Sequence, residues 1–110
     1  MSYKVKLTTN AISHIQAVVN YIADDLLEPQ TALRWKENMQ KDIAQLSFMP
    51  GRVRLTEEEP WHSLGVHKLL ARRFCVYFWI DEEAQVVWVT AVVYEKREQL
   101  PVLIDMSMEE

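Results

Sequence analysis

"RFCVYFWIDEEAQVVWVTAVVYEKRE", residues 73–98, decides the architecture. Within it, Phe74 to Ile80 and Val86 to Val93 are β-branched or aromatic at nearly every position, and the acidic stretch Asp81-Glu82-Glu83 separates them. That composition predicts two antiparallel strands joined by a turn. The preceding run "VHKLLA", residues 66–71, adds a third strand and completes a three-stranded meander. A sheet with one face on the core and one in water alternates apolar and polar residues along each strand. These strands do not alternate, so both faces are candidates for burial. Either the loop over residues 52–65 and the C-terminal tail fold over the second face, or part of that face receives another polypeptide, since monomers seldom leave a large contiguous apolar patch in water. Covering a few hundred Å² at about 25 cal/mol per Å² is enough to hold a helix or strand from a partner, before ordering costs.

Upstream, "YKVKLT" places Tyr3, Val5 and Leu7 on one side and Lys4, Lys6 and Thr8 on the other, the period of a half-buried strand. Thr9 and Asn10 are good N-caps, and Ile12, Ile15, Val19, Ile22 and Leu26 then recur at helical spacing, predicting a helix over about 10–27. Pro29 suits the first turn of a second helix whose apolar set is Ala32, Trp35, Met39, Ile43 and Leu46. Two amphipathic helices joined so tightly form an antiparallel hairpin. The expected order is strand, helical hairpin, long loop and meander, an α+β fold with the helices packed on one face of the sheet.

The totals narrow the function. A chain of 110 residues with 49% hydrophobic residues is expected to form one domain over 1–110. Twelve basic residues against sixteen acidic ones give a net charge of -4, which leaves no general electrostatic grip on nucleic acid. One cysteine, Cys75 inside an apolar run, excludes an internal disulfide and Cys-rich zinc sites, and reads as a buried core thiol in a reducing cytoplasm. The polar N-terminus has no signal core, and no window approaches a membrane span, so a cytoplasmic protein with no membrane contact is expected.

No glycine-rich phosphate loop exists, His14, His62 and His67 show no metal-ligand spacing, and neither cofactor nor metal is expected. Polar residues gather instead at the ends of the meander. Lys68, Arg73 and Arg97 could converge at one rim of the sheet, because the three strands are neighbours. A metal-free attack of an RNA 2′-hydroxyl on its own phosphate needs a proton acceptor, a donor to the leaving oxygen and cations for the transition state. Lys68, Arg73, Arg97, His67 and His62 could fill those roles, or be ordinary solvated strand ends. Trp61 reads as packing onto the domain rather than stacking on a base.

The order of elements, together with "YIADDLLEPQTALRWKENMQKDIAQLSFMPGR" (21–52), "EEPWHSLGVHKL" (58–69), "VYFWIDEE" (76–83) and "VVYEKREQL" (92–100), resembles toxins of the RelE/ParE superfamily. It is most similar to a plasmid-stabilisation-like subgroup of Gram-positive bacteria, in which Glu-Pro-Trp-His-Ser precedes a Gly-Leu-Arg strand. The resemblance implies the toxin of a type II toxin-antitoxin module, bound by a cognate antitoxin. It implies a mechanism by ribosome-dependent mRNA cleavage, as an mRNA interferase, or alternatively by non-enzymatic poisoning of DNA gyrase; an inactive member is a further alternative. Lys68 and Arg97 match the nuclease pattern, and Arg73 is the nearest substitute for a further arginine that aligns with Phe74 or Cys75. Gly-Leu-Arg reads Gly65-Val66-His67 here, and the C-terminal tyrosine of the nucleases has no counterpart in "LPVLIDM".

Overall fold

A computed structural model describes residues 2–96. The elements are β1 (Lys4–Leu7), α1 (Thr9–Asn20), α2 (Pro29–Ala44), β2 (His67–Ala71), β3 (Phe74–Asp81) and β4 (Val86–Tyr94). The expected order therefore holds. The sheet runs β1-β4-β3-β2, with β1 parallel to β4 and the meander antiparallel, giving an α+β fold of two helices on a mixed, open, four-stranded sheet. The parallel pair follows from the connection: the helical hairpin carries the chain back across one face before the meander closes against β1.

Thr8, rather than Thr9 or Asn10, caps α1, its hydroxyl accepting from the Ala11 amide at 3.2 Å. Ile15 and Val19 of the expected face pack on the core together with Ala11, and Ile12 is left exposed. The expected helix over 10–27 is also interrupted. After Asn20 the chain makes a π-helical turn, Tyr21–Asp25, closed by the Leu26 amide on the Tyr21 carbonyl at 3.1 Å. That wider winding takes Leu26 off the 3.6-residue phase and into solvent. In α2 the expected face is the observed one: Ala32, Met39 and Ile43 are buried, Trp35 packs beside them, and Leu46 is buried in the 3-10 turn that follows.

Both faces of the sheet are covered. Val76, Phe78, Val87, Val89 and Val92 pack with Ala11, Ile15, Met39, Ile43 and Leu46 on the helical side. Cys75, Tyr77, Ala91 and Val93 form a second cluster on the opposite side, under Trp61 and Val66. A β-bulge makes this possible. Tyr77 pairs with Ala91 and Phe78 with Val89, so Thr90 is an extra residue in β4. Val87 and Val89 point to the helices before it, and Val92 does so after it, while Ala91 and Val93 turn to the other face. The Thr90 carbonyl accepts from the Thr8 hydroxyl (3.4 Å) and the Asn10 side-chain Nδ2 (2.9 Å), which ties the start of α1 to the bulge.

The β2–β3 connection is a two-residue turn in which Arg72 (φ 52°) and Arg73 (φ 70°) are both left-handed. Asn-Gly is the usual sequence for such a turn, and the conformation costs a side-chain-bearing residue about 1–2 kcal/mol. Arg72 recovers part of this through its guanidinium, which donates to Asp42 of α2 at 2.7 Å.

Thr8→Ala removes the helix cap and one donor to the bulge, and is expected to lower stability by about 1–2 kcal/mol. Thr8→Ser, which keeps the hydroxyl, should lose less than half as much. Denaturant unfolding of the three proteins checks this.

Candidate functional site

The stretch from Val53 to Val66 is built as a plug on the sheet. It first lies along β2: the Thr56 amide donates to the Val66 carbonyl (2.8 Å) and the Lys68 amide to the Arg54 carbonyl (3.0 Å). It then coils over the second face, where the amides of His62, Leu64 and Val66 donate to the carbonyls of Glu58, Pro60 and Trp61. Gly65 closes the coil at φ 84°, a left-handed position that suits glycine. Trp61, 8% exposed, is the residue the coil drives into the Cys75, Tyr77, Ala91 and Val93 cluster. Burial pushes the Cys75 thiol and the Tyr77 phenol up from their ordinary values, so both are neutral at physiological pH and Cys75 is a core thiol.

The candidate residues do not form one constellation among the described residues. His67 and Lys68 are consecutive in β2 and therefore point to opposite faces. His67 stacks on Phe78 on the helical side, with centroids 4.9 Å apart, and its Nδ1 donates to the Val53 carbonyl at 2.7 Å. Lys68 stands on the plug side, 5.8 Å from the Tyr77 ring centre and 3.7 Å from Glu58. His62 donates through Nδ1 to the Thr56 carbonyl at 2.8 Å. Both histidines thus pin the plug to itself and to β2. Arg73 is at the far end of β2, beyond roughly 10 Å of strand from Lys68. Arg97 lies outside the described residues. Among the described residues no group of three His, Cys, Asp or Glu comes together to hold a metal ion, and no helix is long and apolar enough to cross a membrane.

The structure instead presents a groove that the sequence reading did not single out. β1 pairs with β4 only as far as Val89, and from Thr90 onward the edge of β4 faces the side of α1. Here the Val92 amide donates to His14 Nδ1 at 3.1 Å. Past that bond the helix and strand diverge, leaving an open, mainly apolar groove of about 640 Å³ lined by His14, Val18, Tyr21, Phe74, Val92 and Tyr94, among others. Phe74 is held between Trp35 (5.1 Å) and Tyr94 (5.5 Å). One sequence signal could have found it: the strand at the N-terminus is much shorter than the apolar run 86–94 that it would have to cover.

The fold is similar to that of three solved structures. One is a chain of the chromosomal ParDE TA system from P. aeruginosa, with TM-score 0.69 and 17% identity over 84% of this chain and 96% of that one. A second comes from the toxin-antitoxin complex RelBE2 of Mycobacterium tuberculosis, with TM-score 0.59 and 20% identity over 86% and 99%. A third is a free-state mutant of the E. coli toxin RelE, with TM-score 0.60 and 13% identity over 93% of each chain. The chain has the RelE/ParE toxin fold. No protein-family model matches the sequence, and no curated protein does.

In this RelE/ParE-type sheet the plug depends on one carboxylate. Burial alone would raise the Glu58 carboxyl, but hydrogen bonds from the Thr56 hydroxyl and its own amide, with the Lys68 ammonium nearby, outweigh it and hold the group below its ordinary value. A depressed carboxylate contributes stability above its unfolded-state value and loses it as pH falls through the folded one. Glu58→Gln is therefore expected to be less stable than the parent at neutral pH, with the gap closing on acidification through the carboxylate range. Thermal unfolding against pH measures it; a gap independent of pH would show that Glu58 does not clasp the plug as a carboxylate.

Proposed function

We propose that this chain is the toxin component of a toxin-antitoxin module, kept inactive by an antitoxin protein, and that it acts on its target by binding. The toxin role is supported by the shared fold, since the matched structures are those of toxins or toxin-antitoxin systems. Action by binding is supported by one observation above the others: His67 and Lys68, adjacent in sequence, are on opposite faces of β2, and the His67 ring is engaged with Phe78 and a backbone carbonyl. General acid-base chemistry needs its partners within hydrogen-bond reach of one reacting group. DNA gyrase is the target that the family resemblance offers for this mode. Ribosome-dependent mRNA cleavage, the first expectation from sequence, would rest on Lys68 and Arg97 without His67.

Expression of the chain alone in a bacterium is the test. Growth arrest with an induced DNA-damage response and intact transcripts, unchanged by Lys68→Ala, is the expected result. In-frame transcript cleavage that Lys68→Ala and Arg97→Ala abolish would replace this reading with the nuclease. Co-expression of the small gene adjacent to this one should restore growth, and the lack of any such gene would remove most support for a module.

A further inference from the structure

The plug covers only part of the second face of the sheet. Cys75, Tyr77, Ala91 and Val93 lie beneath it, and the next side chains on that face toward the β3–β4 turn are Trp79 and Trp88. The two are cross-strand partners, and both are half-buried. Lys6 is the register partner of Trp88 on its other side, with Nζ 5.6 Å from the ring centre. One row of the face therefore reads Lys6, Trp88, Trp79 across β1, β4 and β3, and the row beyond it reads Lys4, Val86, Asp81. Lys4 and Lys6 are exposed, and neither forms an ion pair among the described residues. Two neighbouring indoles partly open to water are the kind of surface that a partner covers.

The two rows are self-complementary about β4. Turning a second copy over on a two-fold axis parallel to β4 exchanges the β1 and β3 positions of each row. Lys4 then meets Asp81 of the second copy, Lys6 meets its Trp79, and the two Trp88 rings meet each other, with every contact made twice. Lys6 thus lies between its own Trp88 and Trp79 of the second copy, an arrangement that suits an ammonium. The relief of the face fits the same axis. The plug is anchored along β2 by the Thr56 and Lys68 amides, so it raises the β2 side and leaves the β1 side low, and the two-fold turn sets raised side over low side. Asp81 is held at the end of β3, where its Oδ1 accepts from the Ala84 amide at 3.1 Å. Single-stranded nucleic acid also stacks on aromatic rings beside lysines, but here Asp81 stands in the next row, and Glu82 and Glu83 follow it. Three carboxylates at that border repel a phosphate backbone.

We infer that the sheet face beyond the plug is a homodimer interface, in which Lys6, Trp79 and Trp88 of two copies pack about a two-fold axis along β4 and Lys4 pairs with Asp81 of the second copy. The inference does not depend on the toxin reading. The patch spans three strands and two rows, roughly 10 Å by 7 Å between backbone positions. That is well under a standard interface, so the dimer is weak, with a Kd on the order of 100 µM.

Sedimentation velocity of the purified full chain between about 10 µM and 1 mM tests it, and the parent is expected to pass from monomer toward dimer over that range. Lys4→Glu brings like charges together at both symmetric contacts, as does Asp81→Lys, and each should weaken association by about 10-fold. An equimolar mixture of those two variants restores an opposite-charge pair at both contacts and should associate within about three-fold of the parent. Asp81→Asn, which keeps an acceptor for the Ala84 amide, should still weaken association by about three-fold and serves if the lysine variant does not fold. Trp88→Thr, which suits a strand and leaves every charge in place, should weaken it by about 10-fold or more. A parent that stays monomeric throughout overturns the inference, as does a dimer equally tight in Lys4→Glu and Trp88→Thr. Single variants that weaken the dimer without recovery in the mixture overturn the two-fold arrangement. A monomeric parent that binds a single-stranded RNA decamer, with binding lost in Trp88→Thr, gives the face to nucleic acid instead.

Discussion

One inserted residue in β4, Thr90, sets which side chains face which layer. The strand is apolar almost throughout, so hydrophobicity by itself does not choose a register. Because side chains alternate with a period of two, inserting one residue exchanges the faces of everything beyond it. Val87 and Val89 meet the helices on one side of the insertion and Val92 meets them on the other, while Ala91 and Val93 are handed to the plug. The polar groups of Thr90 hold the insertion in place: its carbonyl accepts from Thr8 and Asn10, and its hydroxyl donates to the Tyr77 carbonyl at 3.3 Å. The same contacts end the pairing of β1 with β4, since Thr8 makes the last backbone bond, to Val89 at 3.0 Å, before the chain turns into α1. The groove exists because the strand continues where its neighbour has left.

The second consequence concerns the plug. A sheet with two apolar faces needs two covers, and the helical hairpin is one. Residues 53–66 become the other by folding around Trp61, with the two histidine rings and the Glu58 carboxylate as their internal fastenings. A stretch whose composition reads as exposed loop therefore carries a buried tryptophan and a fully buried threonine, Thr56. Its polar residues are engaged in holding their own segment. His67, half-buried against Phe78, is thereby turned away from the surface, while His62 stays exposed with its Nδ1 committed to the Thr56 carbonyl.

How much of this the sequence disclosed follows from the kind of signal involved. The meander, the first strand and the face of α2 were legible because each rests on strong periodicity or β-branched composition, as in Val86 to Val93 or Ala32, Met39 and Ile43. In α1 the expected face held at Ile15 and Val19 but not at Ile12 or Leu26, and the cap was misplaced, since Thr8, Thr9 and Asn10 are all competent caps and the tertiary bond from Thr8 to Thr90 favours the first. The π-helical turn after Asn20 was invisible, as nothing in Tyr21–Asp25 departs from an ordinary helical sequence. For the candidate site, sequence distance misled in both directions. His67 and Lys68 were grouped as neighbours although a strand separates adjacent residues onto opposite faces. Phe74 and Tyr94, twenty positions apart, line one groove because the hairpin register brings them together. The resemblance to RelE/ParE toxins supplied the fold correctly, yet its matched positions carry no geometry of their own.

Charge distribution bears on the choice between binding and RNA cleavage. The sequence reading left room for basic residues to cluster at the loop and sheet rim despite the overall charge of -4. In the fold, four of them stand beside carboxylates: Arg54 with Glu57 at 3.7 Å, Lys68 with Glu58 at 3.7 Å, Arg72 with Asp42 at 2.7 Å and Arg73 with Glu95 at 4.0 Å. Such pairs add little to stability where they are exposed, but each one cancels most of the field that a phosphate surface would feel beyond a few ångströms. Affinity for a nucleic-acid backbone comes from many cations free to replace its counterions, and these four are already matched. A protein partner makes no such demand. Apolar contacts, which the chain offers in the groove beside α1, need no free cations.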